Sequence, residues 1–172
     1  MGSEHSPVPG VGVQLTALFL RSLRFERLPQ NEAPAPTSGE LDANIGLGVG
    51  RPARDRLNVE LSVAFETPGA ARVEVTYLAQ FRRASDAPAE TPEEDYWRAI
   101  AAQVAPVVLY PYIRETINSL TGKAGIPSMI LPVVNFRAMF DPAEIAIPSF
   151  DDEELQPQES AKSQIPAEHT GA

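Results

Sequence analysis

The side chains in this chain that could react covalently are few and poorly placed for catalysis. Its two histidines, His5 and His169, sit in polar ends, and cysteine is absent. A thiolate nucleophile, a thiolate metal site and a histidine-based triad are therefore all unavailable to the body of the chain. Glu93, Glu94 and Asp95 are consecutive acids, but at a helix start they complement the macrodipole rather than mark acid–base work. Gly46, Gly48 and Gly50 are spaced by two within a strand pattern, whereas a phosphate-cradling loop needs its glycines at a strand-to-helix turn. What remains is non-covalent. Tyr96, Trp97, Tyr110, Tyr112, Phe136 and Phe140, with Met129, Met139, Ile126 and Ile130, exceed what one face of a small sheet needs. Each alone reads as core. Together, surplus apolar surface that includes Met suits the binding of many partners without strict side-chain readout.

Alternation of period two places these residues over a sheet. Val11, Val13, Leu15, Ala17, Phe19, Leu23 and Phe25 fall at odd positions, with Arg21 breaking the set. Leu28–Glu40 carries three prolines and reads as a loop long enough to cross the sheet. Leu41, Ala43, Ile45, Leu47 and Val49 alternate with Asp42, Asn44, Gly46, Gly48 and Gly50, a further strand whose glycines suggest bulging or a close backbone approach. After a loop at Arg51–Arg56 come Leu57 to Phe65, a tight turn at Thr67-Pro68-Gly69-Ala70, and Ala71 to Phe81. Alternation this strict predicts an antiparallel sheet with one packed face and one wet face.

The lid for that sheet begins at Thr91-Pro92-Glu93-Glu94. Thr91 is the expected N-cap, Pro92 the first helical residue and Glu94 the return half of a capping box. Trp97, Ile100, Ala101, Val104 and Val108 form a buried stripe. Pro106 and Pro111 predict a kink, with one helix to about Ala105, a second from Pro106, and an end at Gly122. Ile126–Val134 is too proline-bound for a long helix, and Asn135–Asp141 has room for one or two turns before Pro142. The expected fold class is α+β: a four-stranded antiparallel sheet with a long crossover after strand one, packed by a long kinked helix and a short second helix.

The net charge of −9 is uneven, because Asp141–Ala172 holds eight acids against Lys162 and so carries −7. An acidic balance argues against nucleic acid as a partner. The terminal acidic block reads as a solvated, flexible tail over 142–172, with Ile145, Ile147 and Phe150 expected to fold back onto the body. Residues 1–10 read as a disordered N-terminus, and 11–141 as one domain. No apolar run reaches the roughly 18 residues of a membrane span. The start lacks a secretory signal pattern, so the expected location is the cytoplasm.

Leu109-Tyr110-Pro111-Tyr112-Ile113-Arg114-Glu115, then Ser119-Leu120, Gly125-Ile126-Pro127 and Leu131-Pro132-Val133-Val134-Asn135-Phe136-Arg137-Ala138-Met139-Phe140 resemble, in order and spacing, the signature segments of the SecB family of protein-export chaperones. The resemblance covers Val11 to Phe140. It implies an ATP-independent holdase, with no cofactor, that binds unfolded preproteins and passes them to the SecA motor. It implies a homotetramer, a dimer of dimers, without stable membrane insertion. Carried over residue by residue, it implies client contacts at Ile126, Met129, Phe136, Met139 and Phe140, and SecA contacts at Glu26 and Glu74. Ser22 stands where the family often has an acid, and Arg72 where an apolar residue is common. A SecB-like chaperone dedicated to one client, such as an antitoxin, is an alternative within the family. A hot-dog-type thioesterase is the alternative from another class.

Overall fold

The computed structural model describes residues 12–29, 43–85, 91–126, 129 and 131–150. The expected disordered N-terminus, most of the crossover loop, Leu41 at the head of strand two, Pro127, Ile130 and the tail from Asp151 lie outside the described residues.

Four strands form one sheet: β1 (Val13–Arg27), β2 (Ala43–Ala53), β3 (Arg56–Thr67) and β4 (Ala71–Arg83). Every neighbouring pair is antiparallel, in the order β1-β4-β3-β2. Strands β1 and β2 thus lie at opposite edges, and the chain between them crosses the sheet, as the loop length predicts. Alternation is cleanest at the centre. Leu57, Val59, Leu61, Val63 and Phe65 of β3 are buried, as are Val73, Val75, Ala79 and Phe81 of β4. Their polar neighbours in sequence point to the other face.

Strand β1 departs from the expected alternation. Its register with β4 slips between Leu15 and Ala17 and again between Leu20 and Ser22, so Thr16 and Arg21 are extra residues in two bulges. Each bulge flips the faces. Leu18 and Leu20, not Ala17 and Phe19, oppose Ala79 and Tyr77 on the helix side, while Phe19 opposes Leu78 on the outer side. Arg21, the residue that broke the odd-position set, is itself a bulge.

The β2–β3 connection is also tighter than expected. Arg51, Pro52 and Ala53 remain in β2, leaving a turn at Arg54 and Asp55, with the irregularity absorbed between Gly50 and Ala53. The glycines of β2 do mark a close approach: a Cβ on Gly46 would stand 2.6 Å from Ser62 Oγ.

The helical layer is continuous from Glu93 to Lys123, as α1 (Glu93–Ala99), a π-helical segment (Ile100–Val104) and α2 (Ala105–Lys123). The expected break at Pro106 is a π turn instead. Ala105 N–H reaches Ile100 O, five residues back, and the missing N–H of Pro106 falls in the first turn of α2. The extra residue per turn rotates the buried stripe. Ala101, Ala105, Leu109, Ile113, Ile117 and Thr121 are fully buried, while Val104 and Val108 are half-buried. Pro111 lies inside α2 on its solvent side, where water serves the carbonyl it leaves free.

The capping box does not form. Pro92 is the N-cap, without a side-chain cap. Glu93 pairs instead with Arg51, and Glu94 with Arg98 one turn on, so both carboxylates are taken. At the other end the helix runs through Gly122, and Gly125, at φ 65°, is the left-handed residue that closes it. Beyond it, α3 (Phe136–Met139) is one short turn, followed by a 3-10 turn at Pro142–Glu144. Ile145 and Ile147 do fold back onto the core, held by Arg98 Nε donating to Ile145 O at 3.1 Å.

Candidate functional site

The residues after α2 are anchored to it at both ends. At the C-terminal end, Thr121 is fully buried. Its Oγ1 donates back to the helix at Ile117 O, 3.0 Å, and lies 3.4 Å from Met129 N. Ile126 N–H donates to Thr121 O at 3.0 Å. Near the helix start, Tyr110 Oη donates to Pro132 O at 2.8 Å. The Tyr110 ring meets Phe136 edge-on at 5.1 Å, and Phe136 stacks on Phe140 at 6.2 Å. Burial raises the Tyr110 hydroxyl pKa above its ordinary value, against the pull of Arg114.

The five expected client-binding residues are therefore spread along α2 rather than gathered in one pocket. From Tyr110 to Thr121 the helix rises about 16 Å. Ile126 and Met129 lie at its far end, and Phe136, Met139 and Phe140 near its start. Their roles in packing differ. Phe136 is 5% exposed and belongs to the core, so it supports the strip from beneath. Met139 is 48% exposed. Ile126, Met129 and Phe140 are partly buried and packed on the core, and Val134, Ile145 and Ile147 join them in the same state.

On the sheet, α2 lies over β4 and β3, and the helix-side row of β2 (Ile45, Leu47 and Val49) is left half-covered. The result is an elongated, partly open apolar strip. Sequence reasoning missed Val134, Ile145, Ile147 and the β2 row as parts of it. Their alternation was visible, but what covers each row depends on the helix position. Among the described residues, no group of three acids and histidines converges as a metal site, and no helix is long and apolar enough to cross a membrane.

Glu26 and Glu74 both lie on the outer face of the sheet, with very different neighbours. Glu26 stands directly opposite Arg72 in the β1–β4 register and pairs with it at 3.5 Å. Arg72 also holds Glu66 at 2.7 Å, and that hydrogen bond raises its pKa further. Glu74 stands opposite Arg24 and makes no ion pair among the described residues. Glu60 is paired with Arg21. This face is one of interleaved charges rather than an acidic plate.

Known proteins resemble the chain over most of its length. Residues 8–145 match the family model described as preprotein translocase subunit SecB. A protein-export protein SecB from Thioalkalivibrio sulfidiphilus is 33% identical over 139 residues, 77% of this chain and 79% of that protein. One from Alkalilimnicola ehrlichii is 26% identical over 140 residues, 80% of this chain and 73% of that protein. Among solved structures, a SecB-like chaperone from Mycobacterium tuberculosis, in complex with a ChAD peptide from an antitoxin, has a TM-score of 0.57 at 24% identity. That match covers 72% of this chain and 96% of the other, and it carries the fold alone.

Proposed function

This chain belongs to the SecB family of protein-export chaperones, and from that premise we propose that it is a nucleotide-independent holdase whose clients lie along the apolar strip beside α2. The observation that carries this reading is the strip itself. Ile126, Met129, Phe140, Ile145 and Ile147 are packed from below and open above, so an unfolded segment gains apolar burial there without displacing the core. Met129 and Met139 supply side chains that adapt to many sequences. Family membership also favours a chaperone over the hot-dog thioesterase.

The finer elements of the reading have separate supports. Delivery to SecA uses Glu26 and Glu74 on the outer face, leaving the strip free for client. Assembly into a tetramer accounts for the open edge of β1. There Leu20 (41% exposed) and Leu23 (42%) lie on the helix side, with Val107 and Tyr112 exposed on α2. The cytoplasm is the compartment where such clients are met before export. The domain takes in 11–141, with 142–172 its acidic tail, of which Ile145 and Ile147 pack back onto the core.

A second reading, a chaperone dedicated to one client, is favoured by the outer face. Arg72 occupies Glu26, and Arg21 occupies Glu60, which weakens a general docking plate. An antitoxin peptide is the ligand in the Mycobacterium tuberculosis structure.

The test is to dilute a chemically unfolded, slowly folding polypeptide into buffer with the purified chain and no nucleotide. Delayed refolding and a stable complex on size exclusion are expected. Unchanged refolding with no complex rules the holdase out.

A further inference from the structure

The chain has no cysteine and three methionines, Met1, Met129 and Met139. Thiol oxidation is therefore closed to it, and thioether sulfur is what remains for a two-electron oxidant to meet. Two of the three thioethers lie along the apolar strip, Met129 at the far end of α2 and Met139 near its start.

The two sulfurs stand in opposite surroundings. Met129 is partly buried on the core, its Sδ accepting from Thr67 Oγ1 at 3.8 Å and its backbone N 3.4 Å from Thr121 Oγ1. Thr67 and Thr121 are themselves buried, so an oxygen added at Met129 has to disturb the core. Met139 is the last residue of the single turn α3, held by its N–H donating to Asn135 O at 3.2 Å. It is 48% exposed, in the turn that also carries the stacked rings of Phe136 and Phe140. An exposed side chain fills no gap in the core, so packing does not call for sulfur there. Dissolved oxidants reach it without any opening of the fold.

We propose that Met139 is an oxidation site that sets client affinity, converted to the sulfoxide by a peroxide and returned to the thioether by a dithiol reductant. The inference rests on the strip being the client site. In the forward step a sulfur lone pair attacks a peroxide oxygen, and the S–O bond forms as the O–O bond breaks. The departing hydroxide takes the proton left on the transferred oxygen and leaves as water. Sulfur loses two electrons and the peroxide gains them. In the return step two thiols supply two electrons and two protons, giving a disulfide, water and the original thioether. The sulfoxide oxygen is a strong acceptor that holds its water, so the side chain no longer gains by contact with an apolar client.

The test treats the folded full chain with hydrogen peroxide and follows each methionine by peptide mass mapping. Affinity for a labelled, permanently unfolded polypeptide is measured before and after treatment, and again after methionine sulfoxide reductase with a dithiol. Met139 is expected to gain oxygen before Met129. Affinity is expected to fall roughly threefold to tenfold with the native circular dichroism spectrum kept, and to recover with the reductase.

Met139→Leu and Met129→Leu are each compared with themselves before and after peroxide, whatever their starting affinities. The first is expected to show no loss on treatment, and the second the same loss as wild type. Oxidation of Met129 ahead of Met139, an equal loss in Met139→Leu, or a loss that follows the disappearance of the native spectrum would overturn the proposal. Untreated wild-type chain that captures no client overturns the holdase reading. Capture that survives complete oxidation of Met139 overturns this inference alone.

Discussion

Tyr110 joins the two parts of the strip, with its ring against Phe136 and its hydroxyl donating to Pro132 O. Phenylalanine keeps the ring and loses the bond, so Tyr110→Phe is expected to cost about 1 kcal/mol in a urea titration. An unchanged midpoint would show that the bond contributes nothing. The pH dependence has a definite sign. Burial raises the folded pKa above the ordinary value, so the native state holds its proton after the unfolded state, near pH 10, begins to lose it. The contribution is intact below about pH 10 and fades as pH rises through the folded pKa. The phenylalanine variant should lack that part of the alkaline slope, and an identical slope would contradict the assignment. At Arg72 the consequence is for binding. It is half-exposed and holds both Glu26 and Glu66, so Arg72→Leu should leave the denaturation midpoint almost unchanged. It should also tighten SecA binding by freeing Glu26. Weaker binding by calorimetry would show that Arg72 is a contact rather than a mask.

Strand β1 shows what period-two reasoning reads well and where it fails. Val13, Leu15, Leu23 and Phe25 were assigned to the helix side correctly, because the two bulges lie between them and each restores the phase that the other shifts. Between the bulges every assignment inverts. Leu18 is partly buried against the core, and Phe19 stands half-exposed on the outer face. Leu18→Ala should therefore cost about 1–2 kcal/mol, and Phe19→Ala less than about 0.5 kcal/mol. Denaturation midpoints in the opposite order would return β1 to simple alternation. Strands β3 and β4 were legible because their pairing is regular and one face is dry. In the helical layer, periodicity and proline chemistry located the disturbance at Pro106, but local sequence does not say whether a helix breaks or takes a π turn. Packing of Trp97, Ala101 and Leu109 on one sheet keeps it whole. The capping box was a sound local expectation, but Arg98, one turn on, takes the Glu94 carboxylate, and Arg51, 42 positions before Glu93, holds that neighbouring acid. The candidate site was legible as a set of residues through the family motif. Its extension along α2, and its continuation through Ile145 and Ile147, came from contacts that spacing cannot encode.

At the scale of the whole molecule the sheet separates two surfaces. One side carries the helices and the apolar strip, while the other is polar, with interleaved charges. Strand β1 leaves an apolar edge suited to assembly. A holdase needs this separation, since a client buried on one side leaves the other free for the partner that receives it. The central claim is that the strip beside α2 holds unfolded chains. The most direct measurement is the affinity for a fluorescently labelled, permanently unfolded polypeptide, without nucleotide, of the wild-type chain and of Met139→Ser with Phe140→Ser. Both side chains are at least partly open, so the double variant should keep its fold. Losing two apolar contacts of about 1 kcal/mol each lowers affinity by roughly tenfold or more. Wild-type binding that falls by that factor is the predicted result. Wild-type binding that the double variant retains in full would place the clients elsewhere and contradict the claim.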